Sequence, residues 1–168
     1  EKSVFMYLKK IKLHNFRNYK NLNLTLTKGI NIIYGKNAQG KTNLLESIYV
    51  LGLTKSHRNF IDNNLINNES EYLTIEGILN DKIDNKLNIY IDNKNKILKY
   101  NNSNIKKVSD YISIMNIIIF SPDDLEIIKG SPINRRKYLN LQLSQLYNNY
   151  YIIIKKYNKI LRLRNEYL

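Results

Sequence analysis

The sequence predicts an α/β fold built around a phosphate-binding loop, on three observations. The stretch Ile32-Ile33-Tyr34-Gly35-Lys36-Asn37-Ala38-Gln39-Gly40-Lys41-Thr42 runs from an apolar strand end into a glycine loop. An amphipathic helix follows directly, with Leu44, Leu45, Ile48 and Leu51 assigned to one face. Farther on, "EYLTIEGIL", "NKLNIYID" and "KILKY" read as strands joined by Asn/Asp-rich turns of hairpin length, so an antiparallel sheet is attached to the nucleotide-binding core.

Each element can be justified in chain order. Residues 5 to 14 mix Phe5, Tyr7, Leu8, Ile11 and Leu13 with lysines and predict a strand. "HNFRNYKN" reads as a turn, and Leu22, Leu24 and Leu26 alternate with polar residues at the period of a half-buried strand. Lys28-Gly29 predicts a turn and Ile30 to Tyr34 a short buried strand. The loop and a helix from Lys41 to about Leu51 come next, then a polar connection, "GLTKSHRNFIDNNL". After the three later strands, a short helix near Lys107 to Ile112 leads to "IMNIIIF", an apolar strand candidate. "SPDDLE" and "SPINRR" both place Ser at an N-cap and Pro at the first helical position. Leu139, Leu143 and Leu146 share one helical face, and Tyr150, Ile153, Ile154, Tyr157 and Leu161 another, with a break expected near Asn148-Asn149.

Composition narrows the chemistry. The 168 residues carry 27 Lys and Arg against 14 Asp and Glu, a net charge of +13 that suits an anionic partner such as nucleic acid. Solvated lysines are the plainer explanation of the same surplus. The absence of cysteine removes disulfides, thiolate zinc sites and a cysteine nucleophile, and two histidines make a His-based metal cluster a poor fit. No apolar run approaches the roughly 20 residues that span a bilayer. Without a signal-like start, the expected location is the cytoplasm. Met6 reads as a natural start, with residues 1–5 added ahead of it.

Gly35 to Thr42 satisfies G-x-x-x-x-G-K-[ST] in full, after a predicted strand and before a helix. Glycine permits backbone conformations in which successive N–H groups point at phosphate oxygens. Lys41 would reach the β- and γ-phosphates, Thr42 would offer a hydroxyl to Mg²⁺, and the helix N-terminus favours the anion. Enzymes of this kind also need an acid at the end of an apolar strand to hold the metal. "NIIIFSPDDLE" is the candidate, but Ser121 and Pro122 separate Asp123 from the apolar run. Ser-Pro-Asp-Asp reads better as a helix start, with its acids favoured by the dipole.

The phrases "NFRNY", "NAQGKTNLLE", "SHR" and "FSPDDLE…KGSP…RR" together make the chain from Met6 onward resemble the RecF family of bacterial DNA replication and repair ATPases. The resemblance implies the ATP-binding lobe of an ABC-type head related to SMC proteins over residues 6–133, with mixed and antiparallel sheets. Residues 134–168 would begin an incomplete helical lobe. It also implies ATP and Mg²⁺ as cofactors and an ATP-dependent homodimer that closes around DNA. Gapped or single-stranded DNA would be favoured, with RecR and RecO as partners in loading RecA. By motif position, Gly35, Lys36, Asn37, Ala38, Gln39, Gly40, Lys41 and Thr42 would cradle ATP, and the turn Asn15 to Asn18, including Arg17, would lie near the adenine. Ser56, His57 and Arg58 fall where related heads place an arginine beside the γ-phosphate. The family's signature motif, Walker B acid and switch residues would lie beyond Leu168, which predicts poor turnover by these residues alone.

Three features keep two readings. "NRRKYL" fits a phosphate-contacting patch or one exposed side of a helix, and the helix side is preferred. "KKYNKILRLR" reads first as amphipathic packing. The tyrosines could stack on single strands, but their apolar positions favour core. Two other functions remain open: a small-molecule kinase or other transferase using the same loop, and a basic DNA-binding module indifferent to nucleotide.

Overall fold

The computed structural model describes residues 6–58, 61–81, 83–120 and 126–167. The chain divides between Lys106 and Lys107 into two compact units. The first contains a six-stranded sheet, in the order β2-β1-β3-β4-β5-β6, in which each neighbouring pair is antiparallel.

Strand β1 (Tyr7–Phe16) and β2 (Tyr19–Thr25) form a hairpin closed by the two residues Arg17 and Asn18. β3 (Tyr72–Asn80) pairs with the other edge of β1 and with β4 (Asp84–Asp92), followed by β5 (Lys96–Tyr100) and the two-residue β6 (Ser103–Asn104). The predicted hairpins are thus present. Alternation explains the sheet's polarity. Ile11, Leu13, Leu73, Ile75, Leu79, Leu87, Ile89 and Ile91 turn to the buried face, while Lys12, Glu76 and Lys86 lie on the other, where both lysines reach the glutamate.

Helix α1 (Lys41–Leu53) packs on the buried face against β1, β3 and β4. Its inward residues are Leu44, Val50, Leu51 and Leu53 together with Glu46 and Ser47. The expected face needs correction: Leu45 is exposed and Ile48 only half-buried. Close approach is possible because β3 offers Gly77, where a Cβ would stand 2.3 Å from Leu51 Cδ2. A 3-10 turn at Asp62–Leu65 sits beneath the β1–β2 hairpin, with the Arg17 amide donating to Leu65 O at 2.8 Å. The Lys96 ammonium ties Asp62, at 2.9 Å, to the Thr54 carbonyl at the C-terminus of α1.

The second unit holds α2 (Val108–Ile112), α3 (Glu126–Lys129), α4 (Pro132–Leu146) and α5 (Asn148–Tyr167). Ser131 and Pro132 open α4 as expected, although the Ser131 side chain makes no capping bond. The break between α4 and α5 falls at Tyr147, one residue before the predicted pair. The "SPDD" start lies outside the described residues.

Both short apolar strands need correction. Residues 30–34 and 116–120 carry no strand pairing among the described residues, and Ile30 and Tyr34 are 89% and 90% exposed. A run apolar on both faces becomes a strand only when neighbours supply ladders on its edges. At 117 a side chain takes that part instead: Gln145 accepts from the Ile117 amide at 2.6 Å and donates to its carbonyl at 3.0 Å. The helical faces also differ from expectation. Leu139, Leu146, Ile153 and Tyr157 are exposed, and among all the tyrosines only Tyr49 and Tyr111 are buried. No helix among the described residues is long and apolar enough to cross a membrane.

Candidate functional site

The loop between residue 34 and α1 has the backbone its sequence demands. Gly35, Ala38 and Gly40 have φ of +149°, +63° and +99°. Gly40 is the N-cap, and its carbonyl accepts the first helical bond from the Leu44 amide at 2.9 Å. No acidic residue occupies the first turn, so no side-chain carboxylate there offsets the positive end of the helix dipole. Lys41 curls back along the loop, and its Nζ donates to the carbonyls of Gly35 at 2.7 Å and Lys36 at 2.5 Å.

A cleft of about 360 Å³ opens here, lined by Asn37, Ala38, Gly40, Lys41, Thr42, Asn43 and Arg58. Most of the predicted loop is therefore brought together with Arg58. Gln39 sits on the exposed loop without lining the cleft, and Lys36 contributes its carbonyl to Lys41. Gly40 cannot be replaced without disturbance, because a Cβ would lie 2.8 Å from Asn18 Nδ2 and 2.9 Å from Tyr19 Oη. The β1–β2 turn thus abuts the phosphate loop, and Asn43 Nδ2 donates to Asn18 Oδ1 at 2.8 Å.

Beneath the cleft lies a charge cluster centred on Glu46, whose side chain is fully buried. Arg17 grips it with two bonds, Nε to Oε2 at 3.1 Å and Nη2 to Oε1 at 2.8 Å, and spends Nη1 on Asn64 O at 2.7 Å. Ser56 Oγ donates to Glu46 Oε1 at 2.5 Å and accepts from the Arg58 amide at 2.9 Å. Arg58 Nη1 stands 3.6 Å from Glu46 Oε2 and donates to Asn43 Oδ1 at 3.2 Å. Burial pushes the Glu46 carboxyl up, but hydrogen bonds from Arg17 and Ser56 and the charges of Arg17 and Arg58 outweigh it. Its pKa lies below the ordinary value, and the group is a carboxylate.

The sequence reading passed over Glu46. The available signal was a carboxylate inside the apolar run "LLESIYVLGL", which must find partners if the helix is buried there. Arg17, expected near a base, spends its guanidinium on Glu46 and Asn64. Asn15 has φ +54° and its carbonyl accepts from the Asn67 amide at 2.8 Å. His57 lies edge-on to Tyr49 with ring centres 4.9 Å apart. In the second unit, Arg135 of "NRRKYL" donates to the carbonyls of Ile127, Ile128 and Gly130, which favours the structural reading of that residue.

A glycine loop curled around a lysine, entering a helix and backed by an antiparallel sheet, defines an α/β phosphate-loop nucleotide-binding lobe. The family model described as the RecF/RecN/SMC N terminal domain matches residues 7–125, and the chain belongs to that family. The chain is 42% identical over 165 residues to the DNA replication and repair protein RecF of Streptococcus suis (strain 05ZYH33), covering 97% of this chain and 45% of that protein. It is 45% identical over 163 residues to RecF of Clostridium beijerinckii, covering 95% and 44%. A solved structure described as the recombination mediator protein RecF with ATP superposes with a TM-score of 0.86 at 40% identity, over 96% of this chain and 45% of that one. An SMC ATPase structure, at 20% identity and a TM-score of 0.66 over 84% of this chain, shares the fold. The chain thus spans less than half the length of these RecF relatives.

Proposed function

We propose that this chain is the ATP-binding portion of a RecF-type DNA replication and repair protein, in which nucleotide occupancy controls engagement of DNA. The observation that carries this reading is the loop itself. Positive φ at Gly35, Ala38 and Gly40 and a lysine lying along the loop suit a cradle in which backbone N–H groups and the Lys41 ammonium would donate to phosphate oxygens. Gly35 to Thr42 would hold the triphosphate, and Thr42, exposed on the cleft, would offer its hydroxyl to Mg²⁺. The metal would neutralise phosphate charge. Arg58 would face the phosphates from the cleft wall, while Asn15 and Arg17 act from behind it through the hairpin.

The exposed apolar segments 30–34 and 116–120 suit strands completed by a longer protein, from which the Walker B acid and signature residues would also come. An ATP-dependent homodimer, gapped or single-stranded DNA, and partnership with RecR and RecO in the cytoplasm follow from the RecF likeness. The net charge of +13 supports the DNA part. The test is ATP affinity of the protein at its natural length with and without Lys41→Ala. Loss of at least an order of magnitude is expected on removing a charge-assisted phosphate contact. Unchanged affinity would refute the reading. DNA affinity that falls steeply with salt but ignores ATP would instead support a nucleotide-independent DNA-binding module.

A further inference from the structure

We infer that Glu46 is a positioning residue: it holds the Arg58 guanidinium on the wall of the phosphate cleft and thereby sets the preference for a triphosphate over a diphosphate. This rests on the ATP-binding reading above. A fully buried carboxylate one helical turn beyond Thr42 is costly unless matched, and here it is matched unequally. Arg17 is largely buried and makes three bonds, two of them to Glu46, so it serves as the fixed counter-ion. Arg58 is about half exposed, contacts the carboxylate at the longer distance of 3.6 Å, and extends into the cleft lined by Lys41 and Thr42.

Glu46 also registers the Arg58 backbone. Ser56 Oγ bonds the carboxylate and the Arg58 amide together, so both ends of Arg58 are referred to one buried oxygen pair. Asn43, on the same helix face, supplies the remaining contact at 3.2 Å. A second cation beside Lys41 attracts each added phosphate charge, so its placement favours ATP more than ADP. A displaced Arg58 keeps its charge but loses the geometry on which close phosphate contact depends.

The experiment measures ATP and ADP affinities of the protein at its natural length for the unmodified protein, Glu46→Gln, Arg58→Ala and the double variant. Glu46→Gln keeps the side chain's size but presents an amide donor to guanidinium donors. ATP affinity is expected to fall on the order of tenfold, and ADP affinity by less than about threefold. The ATP:ADP ratio should drop to that of Arg58→Ala, with no further drop in the double variant. Glu46→Asp, which keeps the carboxylate, should recover part of the ratio. Parallel loss of ATP and ADP binding, or a lower melting temperature with the ratio unchanged, overturns the inference. So does an Arg58→Ala ratio equal to that of the unmodified protein. If Glu46→Gln does not fold, Ser56→Ala gives the same readout by removing the link between carboxylate and Arg58 amide: a lowered ratio supports the inference and an unchanged ratio overturns it. Absence of ATP binding by the unmodified protein refutes the underlying ATP reading instead.

Discussion

Two glycines with nearly equal φ allow strain and contact to be compared. Gly29 has φ +96° and Gly40 φ +99°, both in the left-handed range that a side chain resists, at about 1–3 kcal/mol. A Cβ on Gly29 would meet nothing within 4 Å. At Gly40 it would meet Asn18 Nδ2 at 2.8 Å, Asn18 Oδ1 at 2.9 Å and Tyr19 Oη at 2.9 Å. The Asn18 amide can swing away, but then the Asn43-to-Asn18 bond at 2.8 Å breaks, a net loss of about 0.5–1.5 kcal/mol. Gly40→Ala should therefore destabilise by about 1 kcal/mol more than Gly29→Ala. Urea unfolding followed by far-ultraviolet circular dichroism reads this directly, as the chain has no tryptophan. Adding Asn18→Ala should erase most of the difference in a double-mutant cycle. Equal costs for the two single substitutions would refute the claim that the β1–β2 turn presses on the phosphate loop.

Two further outcomes are expected. Gly77→Ala should cost about 1–3 kcal/mol in urea unfolding, because its Cβ would overlap the fully buried Leu51 and push α1 off the sheet. A cost below about 0.5 kcal/mol would mean that α1 has room to move. The depressed pKa of Glu46 gives a signed pH dependence. Its contribution to stability is fully present above the unfolded value, near 4.5, and is lost as pH falls through the lower folded value. Relative to Glu46→Gln, the unmodified protein should lose stability across that acidic window, whereas a constant difference would refute the assignment.

Legibility followed the range of the forces involved. The hairpins from Tyr72 to Tyr100 could be read because alternation and Asn/Asp turns are local, and the loop-to-helix passage at Lys41 because its glycine spacing is local too. Segments 30–34 and 116–120 misled because an apolar run shows only that burial is favoured, while a strand needs a partner edge. The inward face of α1 was misread for a related reason. Leu45 and Ile48 look like core by hydropathy, yet Glu46 takes an inward position because Arg17, Arg58 and Ser56 await it from other parts of the chain, and Ser47 turns inward with its hydroxyl donated to Leu44 O in its own helix. Arg17 bonds a carboxylate 29 positions away, a contact beyond any local pattern.

The position of Glu46 also ties the exposed phosphate loop to the sheet behind it. The loop touches solvent along most of its length, and among the described residues Lys41 bonds to the loop's own carbonyls. Its links to the rest of the fold run through the helix that follows and the turn that abuts it. α1 is pressed onto the sheet at Gly77, its far end is held by Lys96, and Glu46 joins it to the β1–β2 turn through Arg17. Asn43 repeats that connection one turn earlier, through Asn18. Because Arg17 belongs to the hairpin and Arg58 to the cleft, one carboxylate contacts both the support and a wall of the cleft. Replacing a buried ion pair by apolar groups of the same shape is often neutral or stabilising, so the inferred role of Glu46 is in geometry rather than in net stability.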